Sequence, residues 1–220
     1  MLNAEFDPDR QEIKILEASM AHVPFDGWGE SALITGAEEL GLEPDAVTAS
    51  FPKGAIDAIA LHSRLADYRM VMAFKALENP PEKTHQIIKT LILLRLENAQ
   101  PDKEAVRRAL AVLALPGNVG LSCRLLYETV DKMWLAAGHN DTDLSFYTKR
   151  SILAAVYSST VLSWLADYGG DLSATSGFLD RRLKDIQILP RVAKPVSTAA
   201  AAGRRFATAF LRGRFFRTPQ

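Results

Sequence analysis

One glutamate and histidine pair has the spacing of a metal-binding motif. Glu82 and His85 lie three residues apart, as do the ligands of each Glu-x-x-His motif in di-iron helical bundles. Such a site needs the motif twice and two further carboxylates on other helices, whereas this sequence contains it once. Pro81 directly precedes the pair, so we expect a helix start here, where a glutamate is favourable with the helix dipole. We interpret the pair as structural and predict no metal site.

Other catalytic motifs are also missing from the sequence. There is no Gly-x-Ser-x-Gly elbow, no phosphate-binding glycine loop and no dinucleotide fingerprint. The remaining histidines, His22, His62 and His139, are scattered. The single cysteine, Cys123, lies in an apolar helical segment, and we expect it to be a small buried residue. We therefore predict no catalytic residue and a function other than catalysis.

A polar and aromatic patch precedes a long apolar segment. Asp143, Phe146, Tyr147 and Arg150 fall within two helical turns, and the following residues carry no charge until Asp167. In one interpretation the patch is a helix start, in which Asp143 favours the dipole and the aromatic rings cover the core. In the other it is a contact surface, because arginine and tyrosine dominate binding hot spots.

The C-terminal segment combines basic and aromatic residues. No acidic residue follows Asp185, and Ala199, Ala202, Phe206 and Phe210 recur at helical spacing. An apolar stripe flanked by arginines is typical of an interfacial membrane helix. The predicted membrane-binding residues are Arg204, Arg205, Phe206, Phe210, Leu211, Arg212, Arg214, Phe215 and Phe216. The alternatives are that this segment covers the body of the protein or a dimer partner, or binds nucleic acid as a basic arm.

The composition of the chain is that of an ordinary globular protein and does not indicate a particular class of partner. The 220 residues are 48% hydrophobic and 24% charged with a net charge of zero, so the molecule as a whole is not adapted to a polyanion. The N-terminal residues lack the features of a signal peptide or an organelle presequence. The densest apolar run, LILLRL, contains Arg95 and is shorter than the roughly 18 residues that a spanning helix needs. We expect a cytoplasmic protein that associates peripherally with the inner membrane.

The periodicity of apolar residues is helical throughout. Ile88, Leu91, Ile92 and Arg95 illustrate the spacing of three and four, and no stretch alternates over the length of a strand. An all-α fold is predicted, with about ten helices and three short ones near Asp9–His22, Gly29–Leu40 and Asp45–Ser50. We divide the chain into a helix-turn-helix-like region (1–75), a second helical domain (76–189), a proline-containing hinge (190–197) and a membrane-binding helix (198–220).

The helix-turn-helix region has the wrong charge for DNA. Residues 30–52 contain no lysine or arginine, but they include Glu30, Glu38, Glu39, Glu43 and Asp45. DNA-binding proteins neutralise phosphates with basic residues near the recognition helix. We predict that nucleic acid is not a partner.

Two stretches carry family resemblances. The segment SFPKGAIDAIAL, residues 50–61, resembles the end of the DNA-binding domain of TetR-type repressors. The segments DKMWLAAGHNDTD and DLSFYTKRSILAAVYSSTVLSWLAD, together with FDGWGESALITGAEELGL and FLDRRLKDI, resemble the ubiquinone-biosynthesis lipid-binding accessory family, the ninth coenzyme Q protein. This second resemblance extends over most of the chain, and its most specific part is the segment that follows Asp143.

The second resemblance implies a TetR-like fold and a non-enzymatic role. Members of that family bind isoprenoid-type lipids in an apolar cavity and assist the demethoxyubiquinone hydroxylase. The family's docking patch for the hydroxylase corresponds to Asp143, Phe146, Tyr147 and Arg150, with Phe146 where many members have tryptophan. The residues expected to contact an isoprenoid or phospholipid ligand are Phe74, Ile88, Leu91, Ile92, Leu126, Val130, Leu153 and Tyr157.

The interpretation that follows is a homodimeric accessory protein, with no cofactor, that presents a lipid to the hydroxylase at a membrane. A ligand-responsive transcriptional regulator of the TetR type is the alternative. A third possibility is an assembly subunit that has the same surface patch but no lipid cavity.

Overall fold

All regular structure is helical in the part of the chain that the computed structural model describes, residues 6–138 and 145–188. Side chains are described for residues 6–138 and 148–185. These ranges contain ten α-helices and no strand, which confirms the predicted all-α class and the number of helices. The predicted hinge and membrane-binding helix lie outside the described residues.

Four short helices form the N-terminal region. They are α1 (Gln11–Ser19), α2 (Val23–Asp26), α3 (Glu30–Glu39) and α4 (Asp45–Ser50). The limits of α4 are as predicted, and those of α3 differ by one residue at each end. The sequence interpretation did not include α2, a single turn that has Pro24 in its first turn, where the missing N–H has no intrahelical role.

The crossing of α1 and α3 depends on a glycine. A Cβ atom at Gly36 would lie 2.6 Å from the backbone nitrogen of Ser19 and 2.9 Å from its Cα. The Ser19 side chain turns back along its own helix, where Oγ donates a hydrogen bond of 2.7 Å to the carbonyl oxygen of Ile15. The two backbones can therefore approach this closely only with glycine at position 36.

We expect Gly36→Ala to lower the free energy of unfolding by about 1–3 kcal/mol, because a methyl group at this site forces the two helices apart. Gly120→Ala in a later helix is the matched control, since a Cβ there meets no atom within 4 Å. Alanine at position 120 is expected to be neutral or slightly stabilising, since it has the better helix propensity. Urea denaturation of both variants measures the difference, and equal midpoints would contradict this account of the crossing.

Six longer helices and one 3-10 turn complete the described chain. They are α5 (Ala55–Lys75), α6 (Thr84–Asn98), α7 (Lys103–Leu113), the turn Pro116–Asn118, α8 (Val119–Ala136), α9 (Ser145–Ala166) and α10 (Ser173–Ile188). The start of α5 uses Gly54, whose φ of +57° favours glycine, and the Lys53 N–H donates to Asp57 Oδ2 at 2.8 Å. Helix α6 packs against α5, α8 and α9, so these four helices surround a common interior.

The N-terminal helices share a core with later elements. Their hydrophobic cluster includes Ala105 and Ala109 of α7 and Leu125 of α8, and Trp28 Nε1 donates to the Ala105 carbonyl oxygen at 2.8 Å. The predicted boundary between residues 75 and 76 coincides with the end of α5. The described residues up to Lys184 form one compact unit, and the division into the two regions stays a prediction.

The expected burial of Cys123 is wrong. The thiol is exposed, because it lies on the outward face of α8, between Val119 and Tyr127 at intervals of four residues, and both of these are also exposed. An apolar run therefore did not mark a buried helix face here.

Candidate functional site

The predicted lipid-contacting residues lie on the four helices around the common interior. Six are buried: Ile88, Leu91 and Ile92 on α6, Val130 on α8, and Leu153 and Tyr157 on α9. Phe74 on α5 and Leu126 on α8 are half-buried. The structure thus brings these side chains to neighbouring helices, and their role in lipid binding stays a prediction.

The interior of these helices also contains a charged group that the sequence interpretation missed. The Asp67 side chain on α5 is only 1% exposed, and its Oδ1 accepts a hydrogen bond of 2.7 Å from Arg95 Nε on α6. Thr129 Oγ1 on α8 lies 3.0 Å from both carboxylate oxygens of Asp67 and donates to them. A buried carboxylate is therefore held by a cation and a hydroxyl from two other helices, as a buried charge requires.

Arg95 connects this carboxylate to the fourth helix. Its guanidinium carbon lies 5.4 Å from the centre of the Tyr157 ring on α9. Burial alone would lower the pKa of Arg95, but the nearby Tyr157 and Asp67 oxygens raise it above its usual value. Burial raises the pKa of Tyr157 more than the Arg95 charge lowers it. The guanidinium is therefore charged and the phenol protonated near neutral pH.

A second cation approaches the same carboxylate from α8. Lys132 Nζ lies 3.9 Å from Asp67 Oδ2 and 5.6 Å from the centre of the Phe6 ring. We call Asp67, Arg95, Thr129, Lys132 and Tyr157 the polar cluster. Its two cations and one carboxylate give it a formal charge of +1.

A sequence signal for the polar cluster exists in the helical spacing. Arg95 continues the apolar series formed by Ile88, Leu91 and Ile92, so a charged residue occupies the face that the periodicity predicts to be buried. A buried arginine needs an acidic partner. On the preceding helix, Asp67 is the single acidic residue between Asp57 and Glu78 in the sequence. It supplies that partner.

The predicted docking patch is only partly described. Asp143 lies outside the described residues, and Phe146 and Tyr147 lie in the first turn of α9, where side chains are not described. Arg150 is 6% exposed, and its Nε and Nη2 lie 2.9 Å and 2.8 Å from Asp131 Oδ1 on α8. Arg150 is therefore buried, because its guanidinium joins α9 to α8, and its part in docking stays a prediction.

We expect Arg150→Ala to destabilise the fold, because Arg150 is buried and paired with Asp131. The loss of the ion pair and its hydrogen bonds should lower the free energy of unfolding by about 1–3 kcal/mol. Lys149→Ala is a suitable control, since Lys149 is the exposed neighbouring cation on the same helix. Thermal or urea unfolding of both variants measures the effect, and an unchanged stability for Arg150→Ala would restore the surface interpretation.

Two open clefts lie at the opposite end of α6 from Ile88. Their volumes are about 310 and 530 Å³, and both are lined by Gln100, whose Oε1 accepts a hydrogen bond of 2.7 Å from Trp164 Nε1. In the smaller cleft, Lys103 and Arg107 donate to the carbonyl oxygens of Asp167 and Leu165, which stabilises the C-terminal end of α9. Neither cleft is lined by the residues predicted to contact lipid.

The predictions about metals and membranes concern different parts of the chain. Glu82 and His85 are both exposed, and the described residues contain no group of three potential ligands placed to hold a metal ion.

Every residue predicted to bind a membrane, from Arg204 to Phe216, lies outside the described ranges. No single described helix is long and apolar enough to span a membrane; by length and composition alone, only the bent pair Lys103–Leu113 and Pro116–Ala136, at 95°, passes together.

Comparison with known proteins gives consistent results for sequence and structure. Residues 119–189 match the COQ9 family model. The chain is 32% identical over 196 residues to the mitochondrial ubiquinone biosynthesis protein COQ9 of Homo sapiens, covering 86% of this chain and 61% of that protein. It is 30% identical to COQ9-B of Xenopus laevis, covering 86% of this chain and 67% of that protein. The chain thus spans about three-fifths of the length of the human relative.

A solved structure has the same overall fold. A TetR transcriptional regulator from Nitrosomonas europaea superimposes with a TM-score of 0.65, covering 82% of this chain and all of that chain at 18% identity. At this identity the likeness concerns the fold alone. The TetR-like fold expected from the sequence is therefore confirmed.

Proposed function

Because the chain belongs to the COQ9 family, we propose that it is a non-enzymatic, lipid-binding accessory protein of ubiquinone biosynthesis. It binds an isoprenoid lipid at a membrane and presents it to the demethoxyubiquinone hydroxylase. The observation that carries this proposal is the similarity over 86% of the chain to proteins named for ubiquinone biosynthesis. The buried apolar residues of α6, α8 and α9 supply an interior of suitable chemistry for an isoprenoid tail.

A genetic experiment tests the role in the pathway. Cells that lack the chain are expected to accumulate the demethoxylated quinone, because the hydroxylase receives less substrate. Expression of the intact chain should restore the normal quinone, as measured by mass spectrometry of cellular lipids. An unchanged quinone composition in the deletion strain would contradict the proposed function.

Membrane binding is assigned to residues 198–220. We expect a chain ending at residue 197 to bind anionic liposomes at least about tenfold more weakly than the intact chain, because it lacks five arginines and the aromatic stripe. Liposome flotation measures this binding, with neutral liposomes and the intact chain as the comparison. For the intact chain, added salt should weaken the part of liposome binding that comes from the arginine charges, and it should not affect the part that comes from Phe206 and Phe210. Equal flotation of the two chains on anionic liposomes would rule out this segment as the anchor.

The proposed homodimer has a suitable surface on α9. Exposed residues recur along α9 at intervals of four and three positions, and only the half-buried Ser159 interrupts the series. They are Thr148, Ile152, Ala155, Leu162 and Ala166. Such spacing forms one uncharged stripe along the helix, and α9 carries no charged residue after Arg150. Two copies of this stripe can pack about a twofold axis. Light scattering should give the mass of a dimer, and Leu162→Glu should shift it towards a monomer.

The alternative is a ligand-responsive transcriptional regulator, which the TetR-like fold favours. The charge of the helix-turn-helix region opposes this alternative, because Glu30, Glu38, Glu39, Glu43 and Asp45 are all exposed. Gel-shift titration with operator-like duplexes should therefore give no specific complex. Submicromolar binding at physiological salt would favour the regulator.

A further inference from the structure

The corner between α7 and α8 presents apolar side chains to solvent. The two helices bend by 95° at the turn Pro116–Asn118. On the outer side of this bend, Leu115 is 56% exposed and Val119 is 48% exposed. The exposed residues next to them are also uncharged. We call the following exposed residues the apolar corner: Ala111, Ala114, Leu115, Pro116 and Val119.

The shape of this corner is fixed by hydrogen bonds and by the core. Asn118 Nδ2 donates to the Val112 carbonyl oxygen at 2.9 Å, and the Asn118 N–H donates to the Leu115 carbonyl oxygen at 2.9 Å. Leu113 is buried and Leu121 packs against the core, so these apolar side chains point inward. The outward side chains of the apolar corner are therefore held in place by a rigid turn, and covering them costs little conformational entropy.

The sequence around the apolar corner carries basic residues and no acidic ones. Residues 105–127 contain Arg107, Arg108 and Arg124 and neither an aspartate nor a glutamate. Arg107 Nε and Arg108 Nε lie 3.0 Å and 3.4 Å from the carboxylate oxygens of Glu104, which balances one of these two charges. The surroundings of the apolar corner are therefore positively charged.

Arg124 is the most accessible of these cations. Its side chain is 72% exposed, and its Nε lies 4.0 Å from Glu128 Oε1, at the limit of an ion pair. Glu128 is engaged more closely by Arg64, whose Nε lies 2.8 Å from Oε2. The Arg124 charge is therefore available to an anionic partner.

An anionic bilayer fits this combination better than a second copy of the chain does. Apolar side chains bordered by cations enter the boundary between headgroups and acyl chains, while the cations meet the lipid phosphates. Two apolar corners that packed on each other would instead bring arginines of like charge together, which opposes association.

We propose that the apolar corner is a membrane-binding surface of the folded body. Leu115 and Val119 enter the headgroup and acyl boundary of an anionic bilayer, and Arg124 contacts lipid phosphates. This inference rests on the proposed association with a membrane. It adds a contact made by the described helices to the anchor assigned to residues 198–220.

A solvent-sensitive fluorophore at position 115 of the full chain tests the assignment. The labelled chain carries Leu115→Cys and Cys123→Ser, so the label has a single thiol to react with. On vesicles of phosphatidylcholine and phosphatidylglycerol, the emission should shift to shorter wavelength, and lipids brominated in the upper acyl chain should quench it. The control carries the label at Leu40, which is 43% exposed and lies among acidic residues, and this label should stay in water.

Substitutions in the full chain separate the apolar and the electrostatic parts of this contact. Leu115→Glu combined with Val119→Glu should weaken binding to the same vesicles about tenfold, because apolar contact is lost and the new charges are repelled. Arg124→Gln should weaken binding about fivefold on these vesicles and leave binding to pure phosphatidylcholine unchanged. Leu40→Glu and Lys53→Gln alter exposed residues elsewhere and should leave vesicle binding unchanged.

Three outcomes would overturn the assignment in different ways. If the chain bound vesicles while the labels at positions 115 and 40 behaved alike, the apolar corner would not touch the membrane and the C-terminal anchor would stand. If the chain bound no vesicles, the membrane part of the proposed function would fail together with this inference. If the label at position 115 were shielded from water before vesicles were added, in a particle with the mass of a dimer, the apolar corner would be an interface between copies.

Discussion

Replacing Arg95 with methionine is expected to lower the free energy of unfolding by about 3–5 kcal/mol, the largest change among the substitutions considered. The substitution removes the cation that lies 2.7 Å from Asp67 and leaves a carboxylate that is 1% exposed. Thr129 remains as one hydrogen-bond donor, and Lys132 remains only at 3.9 Å. Urea denaturation followed by circular dichroism measures the change.

Two further variants make the Arg95 result interpretable. Combining Asp67→Leu with Arg95→Met should recover much of the lost stability, because a buried ion pair often exchanges for apolar side chains at little cost. Arg124→Met is the surface control: its side chain is 72% exposed and lies 4.0 Å from Glu128, so a change of more than about 0.5 kcal/mol is not expected. An Arg95 variant as stable as the Arg124 variant would contradict the structural role of the buried pair.

If the hydroxylase is the partner as proposed, replacing Tyr147 with alanine is expected to weaken its binding by about 2 kcal/mol, or roughly thirtyfold, with little change in stability. Tyr147 lies in the first turn of α9, within the segment that carries the most specific family resemblance. Large aromatic anchors dominate protein interfaces, and the neighbouring Phe146 is smaller than the tryptophan common in the family. Calorimetric titration of the purified hydroxylase measures the loss.

Tyr168→Ala is the matched control for the Tyr147 variant. Tyr168 is 92% exposed after the C-terminal end of α9, so its loss removes an exposed tyrosine outside the patch and should leave hydroxylase binding unchanged. If both variants bound as the intact chain does, the patch would not be the docking surface. If Tyr147→Ala unfolded the protein, Tyr147 would instead belong to the helix start that covers the core.

The spacing of apolar residues predicted the helices well where the packing of the fold agrees with the helix preference of the local sequence. The limits of α4 were correct, and the long helix after Asp143 corresponds to α9. The single turn of α2 was not predicted, because four residues are too few to show a period. Periodicity also placed Cys123 inside, since an apolar run does not reveal which of its faces a neighbouring helix covers.

The polar residues were harder to place than the apolar ones. Arg150 was assigned to a contact surface because arginine is common in binding hot spots, but Asp131 on α8 provides a partner that makes its burial possible. Asp67 and Arg95 meet across 28 positions of the sequence, and only packing of α5 against α6 brings them together. Long-range ion pairs of this kind depend on the register of two helices, which periodicity within either helix does not determine.

The lipids that remain bound to the chain through purification are the direct measure of its function. Organic extraction of the purified full chain, followed by mass spectrometry, is expected to show an isoprenoid lipid at a molar ratio near one per chain and enriched over its share of the host membrane. The chain ending at residue 197 should retain the same lipid, because the interior helices are intact, and a soluble protein purified in the same way serves as the blank. An extract that contains no lipid, or only phospholipids in the proportions of the host membrane, would contradict the account.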